Sequence, residues 1–136
     1  MNLRIKDKIE EIEKLVEEMY GFMPQDVEDY IEDHKTKAAC ERYFEKITEA
    51  IVDIAFLIIK ERGYKIPDED KLAFDILSSV KIIPVELAQR LKNAKGMRNI
   101  LAHEYGRVDD QIVFEALHEF FEDDIMQFIH IIKMFK

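Results

Sequence analysis

Residues 35–62 read KTKAACERYFEKITEAIVDIAFLIIKER, and the spacing of their apolar side chains decides the fold. Cys40, Tyr43, Phe44, Ile47, Ile51, Ile54, Leu57 and Ile58 recur in steps of three and four, with two adjacent pairs, Tyr43–Phe44 and Leu57–Ile58. That is the stripe of an amphipathic α-helix. The span predicts a helix from about Lys35 to Arg62, roughly 40 Å long at 1.5 Å per residue. Lys60 and Arg62 suit its negative end, and Gly63 stands where the chain can turn out. Val52, Phe56 and Ile59 extend the apolar surface to a second face. Such a helix is either buried on all sides by its own chain or shared with a second copy in a homodimer.

Helical periodicity continues on both sides. Ile5, Ile9, Ile12, Val16 and Met19 form a stripe ahead of it, and Gly21 suits a left-handed position after that helix. Residues 24–34 read as a short acidic helix, and another is expected after Pro67, opening at Asp68-Glu69-Asp70 and ending near Ser79. Pro84 suits a first helical position, followed by a stripe of Leu87, Leu91, Ala94, Met97 and Leu101. Gly96 inside it implies a bend or a close approach, because glycine costs a helix interior about 1 kcal/mol against alanine. Gly106 ends that segment. Val108, a capping Asp109 and Val113 predict a hydrophobic staple opening the last helix. Its stripe is Phe114, Leu117, Phe120, Phe121, Ile125, Phe128, Ile129 and Ile132. No β-alternation is evident. The expectation is an all-α antiparallel helical bundle in which residues 1–136 form a single domain.

Composition narrows the function. The hydrophobic fraction of 48% supports one core, and no apolar run approaches the ~18 residues of a membrane span. Leu3 and Ile5 stand among charges, unlike the apolar segment of a signal peptide. The single cysteine, Cys40, excludes an intrachain disulfide and a Cys-based zinc site, and reads as a small buried hydrophobe in a reducing cytoplasm. Four scattered glycines cannot build a phosphate-binding loop or a dinucleotide fingerprint. Glu115 and His118 have the Glu-x-x-His spacing of a di-metal bundle, but no second copy exists, so no metal or cofactor is expected. The net charge is −9, yet residues 81–107 carry +4 and leave −13 for the rest. Lys92, Lys95 and Arg98 are spaced by threes and are expected to form a basic edge for an RNA backbone.

Polar chemistry concentrates in Arg98-Asn99-Ile100-Leu101-Ala102-His103-Glu104-Tyr105, where Ile100 and Leu101 are expected to carry the packing. Asn99 and His103 lie one helical turn apart and could hydrogen-bond. Arg98 and His103 lie five apart, 140° around the axis and about 7.5 Å along it, so one phosphate could touch both. Arginine recognises phosphate through paired donors, and histidine exchanges protons near neutral pH. Together they suit RNA cleavage in which the 2′-hydroxyl attacks the adjacent phosphate. A cation and an imidazole that merely cap a helix is the other reading of this spacing.

The same residues, with Gly-x-Val-Asp after them, resemble the Arg-x-x-x-x-His-x-Tyr motif of HepT-like proteins in the HEPN superfamily. The resemblance runs from about Thr48 to the C-terminus. It implies a HEPN-like four-helix core with extra short helices, a homodimer with its two motifs near one cleft, and a metal-independent endoribonuclease toxin. It also implies pairing with a minimal nucleotidyltransferase (MntA-like) antitoxin that adds AMP to the motif tyrosine, in a type VII-like toxin–antitoxin arrangement. Carried over, Arg98 neutralises the phosphate, His103 transfers protons, Asn99 supports their geometry, and Tyr105 is the AMPylated residue. The net charge of −9 departs from what an RNA-binding enzyme would carry. A non-catalytic helical module that binds a nucleotidyltransferase subunit is therefore the alternative function.

Overall fold

The computed structural model describes residues 2–103 and 108–135. In chain order the helices are α1 (Leu3–Phe22), α2 (Val27–Glu32), α3 (His34–Glu61), α4 (Asp70–Ser79) and α5 (Val85–His103). They are followed by α6 (Asp110–Ala116), a π-helical turn (Leu117–Phe121) and α7 (Glu122–Met134). No strand occurs among the described residues. The result is an all-α bundle of α1, α3, α5 and the composite last helix, with α2 and α4 as short additions.

Local chemistry sets the boundaries of α3. The Asp33 carboxylate accepts from the Thr36 amide (3.1 Å) and fixes its start. At its end the Gly63 amide donates to the Lys60 carbonyl and the Tyr64 amide to the Ile59 carbonyl, with Gly63 at φ +74°. That is a Schellman closure, in which glycine takes the left-handed position without steric cost. Gly21 does not play this part. It lies inside α1, which ends at Phe22 because Pro24 pushes Met23 into extended backbone. The Asp109 cap is present, its carboxylate accepting from the Gln111 amide at 3.0 Å, and Val108 packs against the core in which Val113 is buried.

α3 is the axis of the core. Cys40, Phe44, Ile47, Ala50, Ile51, Ile54, Ala55 and Ile59 are fully buried, and Val52 and Ile58 nearly so. The α1 stripe packs along it, α4 and α5 lean on it, and Phe121 meets Phe44 with ring centroids 4.8 Å apart. The second apolar face of α3 is thus consumed within the chain, Phe56 being half-buried, and lends no support to a homodimer. The Cys40 thiol is pushed up to about 11 by burial and lies far from a reactive range.

The last helix departs from the simple stripe. Val113, Leu117, Phe121 and Ile125 recur every four residues, a spacing that drifts by 40° per step in a 3.6-residue helix. The π turn, with roughly 4.4 residues per turn, absorbs that drift and keeps all four buried. It turns Phe120 out to 60% exposure, against its expected core position. The Tyr20 hydroxyl donates to the Leu117 carbonyl at 2.6 Å and ties the turn to α1.

α4 ends in a second Schellman closure, with Lys81 donating to Ser78 and Ile82 to Leu77, but the left-handed residue is Lys81 at φ +64°. A Cβ there costs about 1 kcal/mol. Lys81→Gly should therefore raise the unfolding free energy by about 1 kcal/mol in a urea titration with an unchanged m-value. A lower midpoint would show that the lysine side chain itself stabilises the turn.

Candidate active site

α5 carries every motif residue that the structure describes. It starts one residue later than expected, at Val85, with Pro84 accepting from the Ala88 amide at 3.0 Å. Leu87, Ala88, Leu91 and Leu101 are its buried apolar residues, while Ala94 and Met97 are half-buried. Ile100 is 41% exposed and so does not share the packing with Leu101. At Gly96 the close approach is real, since a Cβ would lie 3.2 Å from Lys71 Nζ of α4.

The basic island does not form an open edge. Each of the four Lys and Arg residues of α5 meets a carboxylate from another helix. Arg90 Nε donates to Asp124 (2.7 Å), Lys92 Nζ lies 3.0 Å from Asp75, Lys95 Nζ lies 3.2 Å from Asp70, and Arg98 Nη2 donates to Glu49. The Lys95 side chain is only 8% exposed, so its ammonium cannot reach an RNA phosphate without leaving Asp70. Lys92 is directed at α4 in the same way. The reason is the composition of the bundle: with −13 outside residues 81–107, carboxylates on α3, α4 and α7 take up these cations.

Arg98 is largely buried, with Nε enclosed and without a hydrogen-bond partner among the described residues. Asn99 is half-buried, and His103 is exposed at the last residue of α5. No side-chain hydrogen bond joins Asn99 to His103 among the described residues, although the two are neighbours one turn apart on α5. Tyr105, with Glu104, Gly106 and Arg107, lies outside the described residues. The helix therefore presents an anchored guanidinium and, five residues on, an accessible imidazole at its C-terminal end. This arrangement can neutralise a phosphate and move a proton beside it.

Glu49 was not singled out by sequence reasoning. Glu45, Glu49 and Asp53 form a row of like charges at steps of four on α3, which is unfavourable unless cations answer it. Arg42, Arg98 and Lys8 do so, two of them from other helices. That row was the available signal. Beside α5, a groove of about 350 Å³ is lined by Phe44, Ala94, Met97, Phe120 and Phe121 together with Arg90, Asn93 and Asp124. The Glu115–His118 pair shows no metal-binding arrangement: the His118 ring stacks on Phe114, and Glu115 accepts from Gln111. No group of three potential ligands gathers among the described residues.

The model of the ribonuclease HepT-like family matches residues 5–132. The chain belongs to that family. This HepT-like chain is 29% identical over 136 residues to the mRNA nuclease HepT of Shewanella oneidensis, covering 98% of each chain. It is 28% identical over 113 residues to the tRNA nuclease HepT of Aphanizomenon flos-aquae, covering 83% of this chain and 77% of that one. Its fold matches the tri-AMPylated Shewanella oneidensis HEPN toxin, solved in complex with an MNT antitoxin, with a TM-score of 0.87, 28% identity and 98% coverage of both chains. The likeness spans the whole bundle, including the N-terminal helices, rather than starting near Thr48.

The pairing of α5 with α4 has a measurable consequence. Lys95→Ala should lower stability by about 1–2 kcal/mol, because a nearly buried ion pair is lost while Asp70, half-exposed, recovers hydration. Lys92→Ala should leave the salt dependence of RNA binding unchanged. A shallower salt slope in Lys92→Ala would show that this lysine leaves Asp75 to contact phosphate.

Proposed function

We propose that this HepT-like chain is a metal-independent endoribonuclease toxin of a toxin–antitoxin pair. The observation that carries the reading is the placement of Arg98 and His103 at the C-terminal end of α5, in a chain matched by the family over residues 5–132. The 2′-oxygen of the substrate attacks the adjacent phosphorus, forming a P–O bond as the bond to the 5′-oxygen breaks. A 2′,3′-cyclic phosphate and a 5′-hydroxyl result. His103 takes the 2′-hydroxyl proton or supplies one to the leaving 5′-oxygen. Arg98 offsets the extra negative charge on the phosphorane, and Asn99 supports their geometry.

Base and acid act at the same phosphate, so two imidazoles serve the step better than one. A homodimer would provide the second. Its contact is the groove beside α5, where Met97 and Phe120 leave apolar surface on the helix that carries the motif and on the last helix facing it. The partner is a minimal nucleotidyltransferase of the MntA type, supported by the MNT antitoxin that accompanies the Shewanella oneidensis HEPN toxin. It would transfer AMP from ATP to the Tyr105 hydroxyl with release of pyrophosphate. The phosphate and nucleoside so attached would compete with RNA for Arg98 and His103. A reaction that draws on ATP and RNA would run in the cytoplasm. The pairing of the α5 cations favours a second reading, a non-catalytic module that docks the nucleotidyltransferase.

RNA incubated with the purified chain in EDTA separates the two. Cleavage should persist in the chelator and fall at least 100-fold in His103→Ala with the fold intact. Incubation with the nucleotidyltransferase and ATP should add AMP mass to the wild type and stop cleavage, whereas Tyr105→Phe should remain active and unmodified. Undegraded RNA in the presence of the unmodified wild type would favour the docking module.

A further inference from the structure

Resting on the nuclease reading above, we infer that Glu49 is a positioning residue that fixes the catalytic guanidinium of Arg98. Glu49 projects from the middle of α3, the 28-residue axis of the core. It receives Arg98 Nη2 across the α3–α5 seam. Among the described residues, Arg98 has few other polar restraints. Its Nε is buried without a hydrogen-bond partner, and no other carboxylate pairs with it among the described residues. Around it the apolar grip on α5 is weak, since Lys95, Gly96 and Asn99 stand between Leu91 and Leu101.

A guanidinium is a planar fork with five N–H donors, and a carboxylate that holds one terminal nitrogen sets the direction of the rest. Glu49 thus orients the donors that Arg98 presents to a phosphate while cancelling its net charge. The two effects have different kinetic signatures. Orientation is felt in the transition state, where small displacements of a catalytic group cost about 10²-fold. Charge cancellation weakens ground-state attraction for RNA. Removing Glu49 should therefore lower kcat and leave KM unchanged or lower it. A carboxylate that merely obstructs the phosphate would do otherwise: its loss would lower KM with kcat preserved.

The test is steady-state cleavage of a mixed-sequence single-stranded RNA by wild type, Glu49→Ala, Glu49→Gln and Glu49→Asp, with His103→Ala as the inactive reference. Glu49→Ala should lose 10- to 100-fold in kcat with KM no more than threefold above wild type. Glu49→Gln keeps an acceptor oxygen at the same reach and should recover kcat to within about fivefold. Glu49→Asp, one methylene shorter, should fall between Ala and Gln, and it carries the comparison if the alanine variant does not fold. A separate readout is the ¹H–¹⁵N signal of Arg98 Nε–H, assigned by its loss in Arg98→Lys. It should be sharp in wild type and Glu49→Gln, and broadened by exchange in Glu49→Ala or, if that variant fails, Glu49→Asp. A kcat in the folded Glu49 variants equal to wild type, or a lowered KM at unchanged kcat, would overturn the assignment, as would an Arg98 signal indifferent to Glu49. If wild type and His103→Ala both leave RNA intact, the nuclease reading fails, and the Arg98 signal still decides whether Glu49 fixes the guanidinium.

Discussion

Along the two turns of α5 between Leu91 and Leu101, the bundle holds the helix through charge more than through apolar packing. Lys95 occupies the buried position there, and Ala94, Gly96 and Met97 give only small or partial contact. Asp75, Asp70 and Glu49 take Lys92, Lys95 and Arg98 in turn, while Asp124 takes Arg90 nearer the start of the helix. Exposed ion pairs contribute little individually. These pairs are partly or largely shielded, and the loss of one partner leaves a charge with reduced access to water. The end of α5 that carries Arg98 and His103 is joined to the rest of the bundle along that seam.

The seam also makes sense of an acidic protein built around an RNA-cleaving motif. Counting charges along residues 81–107 suggests an open basic strip, but the cations of α5 are already answered by the −13 of the remaining chain. On the proposed reading, what would be left for a substrate is local: the remaining donors of Arg98 and the exposed imidazole of His103. On that same reading, further binding strength and the second imidazole would come from a second copy at the Met97–Phe120 groove.

Much of this architecture was legible in the sequence because periodicity and capping are local. The α3 boundaries fell within one residue of those expected, and the α1 stripe is buried as read. Gly63 and Asp109 act as their residue types suggest. The misreadings share a cause, since each depended on a neighbour distant in sequence or on a phase that drifts along a helix. Gly21 yielded to Pro24, Phe120 turned outward when the π turn reset the stripe, and Ile100 proved exposed. For the candidate site, spacing and resemblance singled out Arg98, Asn99 and His103, and the structure places all three in the last turns of α5. The partners of Lys92 and Lys95, and the role of Glu49, required knowing which helices lie side by side.

The central claim is that Arg98 and His103 direct the substrate's own 2′-oxygen onto its phosphate, and the ends of the cleaved RNA record that chemistry. Fragments produced by the unmodified protein should carry 2′,3′-cyclic phosphate and 5′-hydroxyl ends, resolved by mass spectrometry before and after treatment with a cyclic-phosphate-opening kinase–phosphatase. Fragments bearing 5′-phosphate and 3′-hydroxyl ends would mean that water, not the 2′-hydroxyl, attacks, and would contradict the account.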